Sequence, residues 1–472
     1  MGWTATEVMT ATAARATGEV TGFFPSVSTD SRRVEPDALF IALKGDRYDG
    51  HDFVGAALQR GAATALVERV PAGIEPARLL IVGDTQHALG DLAAWTRHRR
   101  PLRVAAITGS NGKTTTKEMV AAICACALPP RTGVLKTLAN ENNLVGLPLT
   151  LLRLGDTDAI AVLEMGMNAP GEIARMTAIA DPDVGVVTNV AAAHLEGLGS
   201  IAGVAAAKQE IYDGMRPQAT IVVNADDPWV TRIAAGFRGR RITFGTGADV
   251  QARRLRDATF DGVTFDLAVA DRITTVRLRI PGAQAVQNAL AAAAVAVGLG
   301  LDLESIRAGL EVAVTPHMRV EVTRLANGIT VVNDAYNANP GSMEAAIRLI
   351  AQHRGRSVAV LGEMRELGAM SDTLHARVGA IAAEAGVGIL VTVGPYAEAM
   401  ADGARRAGMR PGSIFVCAEP AEAAAVVVGL WCSGDAIVVK GSRGAADDPL
   451  VRAHGARMAE VVHRLVEAGS RP

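Results

Sequence analysis

The sequence predicts an α/β protein of several domains. Short runs rich in Val, Ile and Ala alternate with Ala-rich helical stretches, the pattern of parallel strands joined by crossover helices. A length of 472 residues exceeds one ordinary domain and leaves room for two to four with real cores. A glycine loop also stands between an apolar run and a helical one, the usual place for a ligand in such folds.

Apolar runs at 103–108, 159–163, 184–188, 220–223, 330–332, 357–361, 389–393 and 436–439 read as strands. Between 263 and 280 apolar residues alternate with polar ones (Val263, Phe265, Leu267, Val269, then Val276, Leu278, Ile280), so an antiparallel hairpin is expected at a sheet edge. Helical runs follow over 286–299 and 301–312. Thr315-Pro316 reads as a linker, and His98-Arg99-Arg100-Pro101 as a break before a new strand. The expected domains are therefore 1–100, 101–315 and 316–472.

Lys and Arg (47) nearly balance Asp and Glu (49), which speaks against a nucleic-acid surface, and an apolar content of 49% speaks against disorder. The cysteines Cys124, Cys126, Cys417 and Cys432 form no Cys-x-x-Cys pair and read as structural thiols in a reducing cytoplasm. No signal-like apolar stretch opens the chain and none reaches the ~20 residues of a membrane span, so a soluble, unexported protein is expected.

The chemistry centres on Thr108-Gly109-Ser110-Asn111-Gly112-Lys113-Thr114-Thr115. Successive backbone N–H groups and a helix N-terminus can surround phosphates, Lys113 can neutralise their oxygens, and the Thr114 hydroxyl suits Mg²⁺. The common G-x-x-x-x-G-K-[ST] pattern would place Gly where this chain has Ile107, so the loop is a shorter variant. Glu164, Asn189 and His194 follow the next strands and share the carboxyl edge with Lys113. Taken alone, Glu164 could cap a helix and His194 could be an ordinary loop histidine; the shared edge makes both candidate Mg²⁺ ligands. Lys208, Asn288, the Asp334-to-Pro340 segment, Leu361 to Gly368, and Lys440-Gly441-Ser442-Arg443 are further polar sites at helices or strand ends.

Together these segments resemble the Mur ligase family over nearly the whole chain. The likeness rests on Ser28-Thr29-Asp30-Ser31-Arg32, TGSNGKTTTK, NENNLVGLP, LEMGMNAPGEI, TNVAAAHLEGLGS, AKQEIY, DAYNANP, LGEMRELG and KGSRG. It implies a small N-terminal α/β domain, a central P-loop-type, mostly parallel sheet with an antiparallel edge, and a Rossmann-like C-terminal α/β domain. It also implies ATP-dependent ligation of D-alanyl-D-alanine to UDP-N-acetylmuramoyl-tripeptide through an acyl phosphate, in cytoplasmic peptidoglycan precursor synthesis. The implied cofactors are ATP and Mg²⁺, the implied partners only those small-molecule substrates, and the implied state a monomer.

By position, the family pattern assigns Thr108 to Thr115, Asn288, Arg319 and Asp334 to the nucleotide. It assigns Thr114, Glu164, His194 and a carbamylated Lys208 to metal, with Lys113, Lys208 and His194 as the catalytic groups. Asp30, Ser31, Arg32, Asn142, Asn143, Tyr336, Asn337 and Asn339 are assigned to substrates. Pro316-His317-Met318 precedes Arg319 where relatives often carry glycine, and the Asp-Asn-Pro-Arg motif of diaminopimelate- or lysine-adding relatives does not occur. A related amide ligase adding diaminopimelate or glutamate, or a nucleotide-driven switch without ligation, are the competing readings.

Overall fold

The computed structural model describes residues 2–45, 47–442 and 457–470; Arg443 and Gly444 of the KGSRG segment lie outside them. The chain is α/β throughout, built on a five-stranded, a nine-stranded and a six-stranded sheet, with one additional strand pair, Trp3–Thr4 with Phe23–Phe24.

The central, nine-stranded sheet runs in the order Arg272–Leu278, Gly262–Val269, Val250–Thr259, Arg240–Phe244, Thr220–Asn224, Val184–Val187, Arg103–Thr108, Asp158–Glu164, Gly133–Lys136. The last seven are mutually parallel, and the first two close the edge as an antiparallel ribbon. The expected hairpin is present, and Val250–Thr259 extends it by a strand that the sequence reading left out. That strand reads VQARRLRDAT and is largely exposed, so no apolar alternation marks it.

Both faces of this sheet are covered. Val104 and Ala106 of the strand Arg103–Thr108 enter one apolar cluster, whereas Ala105 and Ile107 enter the other, as strand pleating requires. The helices Lys113–Ala127, Ala283–Gly298 and Leu303–Val312 cover one face. Ala283–Gly298 is buried almost all round, and its run of alanines leaves little side-chain bulk between helix axis and sheet. The helices Glu172–Ala180 and Ile201–Asp213 lie on the other face.

The six-stranded sheet has the order Glu321–Arg324, Thr330–Asp334, Ala436–Lys440, Ser357–Leu361, Ile389–Val393, Ile414–Cys417, parallel except for its first pair. The five-stranded sheet uses strands of two to four residues, from Arg15–Ala16 to Leu79–Ile81. Its unit joins the central one through the helix Thr85–His98, where Arg97 Nε donates to Ala180 O at 3.0 Å and Thr96 Oγ1 accepts from Trp3 Nε1 at 2.8 Å.

Candidate active site

Ile107 pairs with Glu164 on one side and Val186 on the other, and Thr108 pairs with Val187, so both belong to the sheet and the phosphate-type loop begins only after Thr108. This is why the loop is short. Gly109 has φ +148° and an added Cβ would strike Thr188 Oγ1; Gly112 has φ +80° and an added Cβ would strike Asn288 Oδ1. Neither position admits a side chain without displacement. The loop is tied to the next strand end: Ser110 N donates to Asn189 O (3.0 Å), Asn111 N to Asn189 Oδ1 (2.9 Å), and Thr188 Oγ1 to Asn111 O (2.6 Å).

Lys113 opens the helix, with its ammonium donating to Gly109 O at 2.7 Å. Burial lowers its pKa, the Glu164 carboxylate opposes that shift, and Arg319 adds to it. The lysine is thus held folded against the carbonyls of its own loop.

Glu164 ends its strand as the sequence suggested, and it caps no helix. Its Oε1 accepts from Asn142 Nδ2 at 2.8 Å, whereas Oε2 is buried without a hydrogen-bond partner among the described residues. A buried, unsatisfied carboxylate oxygen is costly unless a donor or cation meets it. The Thr108 and Thr116 hydroxyls, on either side of the glycine loop, are likewise buried without partners among the described residues.

His194 sits in the left-handed region (φ +55°), and its Nδ1 lies 2.5 Å from Glu366 Oε2 of the six-stranded unit. Lys208 is 1% exposed in the helix Ile201–Asp213; among the described residues its Nζ meets only the thioether of Met167, at 3.5 Å. Burial drives its pKa well down, and the charge of Lys113 drives it further. Glu210, a candidate partner for it, instead accepts from Gly171 N and Ala174 N.

Among the described residues, no group of three or more His, Cys, Asp or Glu side chains converges as a metal site. Glu164 and His194 could therefore hold a cation only with other donor types added, such as the Thr114 hydroxyl.

A cleft of ≈ 450 Å³ brings Ser110 to Thr115 and Asn288 together with Arg319, Asp334, Tyr336, Asn337 and Asn339. Asp30, Ser31, Arg32, Asn142, Asn143, Glu164, His194 and Lys208 do not line it. Arg319 stacks its guanidinium 4.2 Å from the Tyr336 ring centre. Its neighbours Met318 and Val320 have φ of +58° and +54°, a conformation glycine adopts freely and valine rarely. Both Asp334 oxygens already have partners, Oδ1 from Val320 N at 3.2 Å and Oδ2 from the buried Lys440 Nζ at 2.5 Å. Asn339 caps the helix Pro340–Ala351 with Oδ1 and donates from Nδ2 to Asn111 Oδ1 at 2.7 Å.

In the first unit, Asp30 accepts from the Arg32 backbone N and from its guanidinium, each at 2.9 Å, and the guanidinium holds its pKa down at about 2. Asn143 Oδ1 accepts from Gly146 N at 2.8 Å at the start of the helix Gly146–Leu152. The sequence names Lys440, Glu366 and Asn189 only as polar positions and assigns them no role; all three stand at carboxyl ends of strands or just beyond, the same signal that singled out Glu164.

The sequence matches the family models for the Mur ligase middle domain over residues 107–296, the Mur ligase glutamate ligase domain over 318–443 and the Mur ligase family catalytic domain over 24–96. It is 40% identical to the UDP-N-acetylmuramoyl-tripeptide--D-alanyl-D-alanine ligase of Escherichia coli (strain K12), over 91% of this chain and 93% of that one. It is 36% identical to the Bacillus subtilis (strain 168) protein of the same name, over 90% and 92%. Among solved structures, MurF from Acinetobacter baumannii superposes with a TM-score of 0.89 at 33% identity, covering 99% of both chains. MurF ligase from Thermotoga maritima in complex with ADP does so at 0.82 and 28% identity, covering 94% and 97%. The chain belongs to the Mur ligase family, on its MurF branch.

Proposed function

We propose that this chain is the ATP-dependent ligase that joins D-alanyl-D-alanine to UDP-N-acetylmuramoyl-tripeptide, releasing ADP and phosphate, in cytoplasmic peptidoglycan precursor synthesis. The observation that carries the reading is the cleft in which a phosphate-type loop of the central unit faces Arg319, Tyr336 and Asn339 of the third. No helix among the described residues is long and apolar enough to cross a membrane.

In the proposed reaction an oxygen of the tripeptide's terminal carboxylate attacks the γ-phosphorus, and the bond to ADP breaks. The amine of the dipeptide then attacks the acyl carbon, loses a proton, and phosphate leaves. Both partners of the first step are anionic, so approach requires fixed positive charge and alignment. Lys113 and the loop N–H groups bind the phosphates, Arg319 supplies charge from the opposite wall, and closure of the third unit excludes water from the acyl phosphate.

The unsatisfied Glu164 Oε2 and the Thr114 hydroxyl fit a hard cation, with His194 and Lys208 completing the donor set. Bound Mg²⁺ would supply neutralisation of the phosphate charge. Lys208 serves as a carbamate: its low proton affinity leaves the amine free to add to CO₂ with loss of a proton, giving an anionic oxygen donor. Asp30, Ser31 and Arg32 select the UDP-linked substrate, and the protein acts as a monomer.

Mass-spectrometric ligation with the diaminopimelate and the lysine UDP-tripeptides tests the reading. Product should form with D-alanyl-D-alanine and not with free diaminopimelate, lysine or D-glutamate, and ADP should be released fast only when both substrates are present. Efficient use of a free amino acid would favour a sister ligase, and ADP release independent of the substrates would favour a switch.

A further inference from the structure

Glu366 stands on the loop between the strand Ser357–Leu361 and the helix Ser371–Glu384. The third unit braces this loop from within. Gly362 N donates to Lys440 O (2.8 Å), Met364 N to Nε2 of the buried His375 (2.8 Å), Arg365 N to Ser442 Oγ (3.2 Å), and Ser442 N to Glu363 O (2.9 Å). Met364 and Leu367 are each 1% exposed, so apolar anchors lie on both sides of Arg365 and Glu366. Glu366 is thereby presented toward the central unit on a fixed base.

There it makes two contacts. Its Oε2 lies 2.5 Å from His194 Nδ1, a close approach without the alignment of a hydrogen bond, and its backbone carbonyl accepts from Glu196 N at 3.1 Å. Both residues at the junction hold left-handed conformations, Glu366 at φ +61° and His194 at φ +55°. Neither is glycine, and such backbone persists where the surroundings over-determine it, which is common where a site must be aligned. A carboxylate on Nδ1 fixes the tautomer and the ring orientation of an imidazole and leaves Nε2 as its remaining ligating atom.

We propose that Glu366 is a positioning residue that crosses from the third unit to take His194 Nδ1, so that the imidazole of the central site is oriented only when the two units close. Glu366 itself does not line the cleft. Closure and site assembly are then one event, and a central site left open lacks an aligned His194. The kinetic part of this inference rests on the ligase reading; the closure part does not.

Exposed Cys126 on the central unit and exposed Cys432 on the third, with Cys124 and Cys417 buried, allow the pair to be spin-labelled in the natural chain. Electron–electron distance measurements with magnesium and a non-hydrolysable ATP analogue should show a closed population in the unsubstituted protein. Glu366→Ala should lose most of it, while Glu366→Gln, which keeps a carbonyl acceptor for the imidazole, should retain it. In turnover, Glu366→Ala should lower kcat on the order of 10- to 100-fold, the range for partners of ligating groups, with the KM for the UDP-linked substrate little changed. Glu366→Gln should recover most of the loss. If the alanine variant fails to fold, as read from its melting temperature, the glutamine variant and Glu366→Asp, whose shorter side chain cannot span the gap, decide the matter. An alanine variant that closes and turns over like the unsubstituted protein overturns the proposal. Closure without product in the unsubstituted protein would overturn the ligase reading instead.

Discussion

A buried lysine whose only close polar contact among the described residues is a methionine sulfur is an unusual thing for a fold to hold. Lys208 carries the desolvation cost of a charged group without a paired carboxylate, and the outcome is a depressed proton affinity. Function explains its retention better than stability does. Replacing it should therefore separate the two. Lys208→Met, which keeps the volume, should melt at or above the temperature of the unsubstituted protein, yet lose about 10² to 10³ in kcat, the usual scale for one transition-state electrostatic contact. Lys208→Ala should be comparably inactive but regain activity with added short-chain carboxylates, which can place an oxygen where the proposed carbamate would stand. Full activity in either variant would remove Lys208 from the site.

At the scale of elements, the loop that begins after Thr108 is only as well placed as the helix Lys113–Ala127 behind it. That helix packs against Leu303–Val312 through Gly309, where an added Cβ would strike the Cα and N of Ile123. Backbone atoms cannot swing aside as a side-chain tip can. Gly309→Ala should force the helices apart and destabilise the protein by about 1–3 kcal/mol, the range for overpacking. A lower melting temperature is the expected observation, and an unchanged one would show that the helices can separate freely.

Legibility in the sequence followed the same physics. The strands Arg103–Thr108 and Val184–Val187 are buried on both faces and read as apolar runs, so they were visible. Arg240–Phe244 begins with two exposed arginines, and the first unit's strands are too short for any period to register. In the site, the glycine loop and Glu164 could be read from strand, loop and helix order. Glu366 and Lys440 could be placed at or beyond strand ends but given no role, because what assigns one is a contact to His194 or Asp334, far away in the chain.

Across the whole molecule, the third unit meets the phosphate-type loop through Asn339, which has two separable jobs. Its Oδ1 caps the helix Pro340–Ala351, accepting from Ser342 N at 2.9 Å, and its Nδ2 donates to Asn111 Oδ1 on the central loop. Asparagine and aspartate are about equally good N-caps. Asn339→Asp should thus preserve the helix and the melting temperature, while replacing the cross-unit donor by an anionic oxygen facing another acceptor. Two acceptors at hydrogen-bond distance repel, and the anion also stands beside the cleft where the nucleotide phosphates are proposed to bind. A penalty of roughly 1–3 kcal/mol for the lost donor corresponds to about a 5- to 150-fold rise in the KM for ATP. The proposed first-unit substrate cluster at Asp30 to Arg32 lies outside that cleft, so the KM for the UDP-linked tripeptide should be unaffected. Small-angle scattering with nucleotide should show the variant more open than the unsubstituted protein. A variant with normal ATP dependence and normal compaction would mean that the Asn111–Asn339 contact accompanies closure without contributing to it.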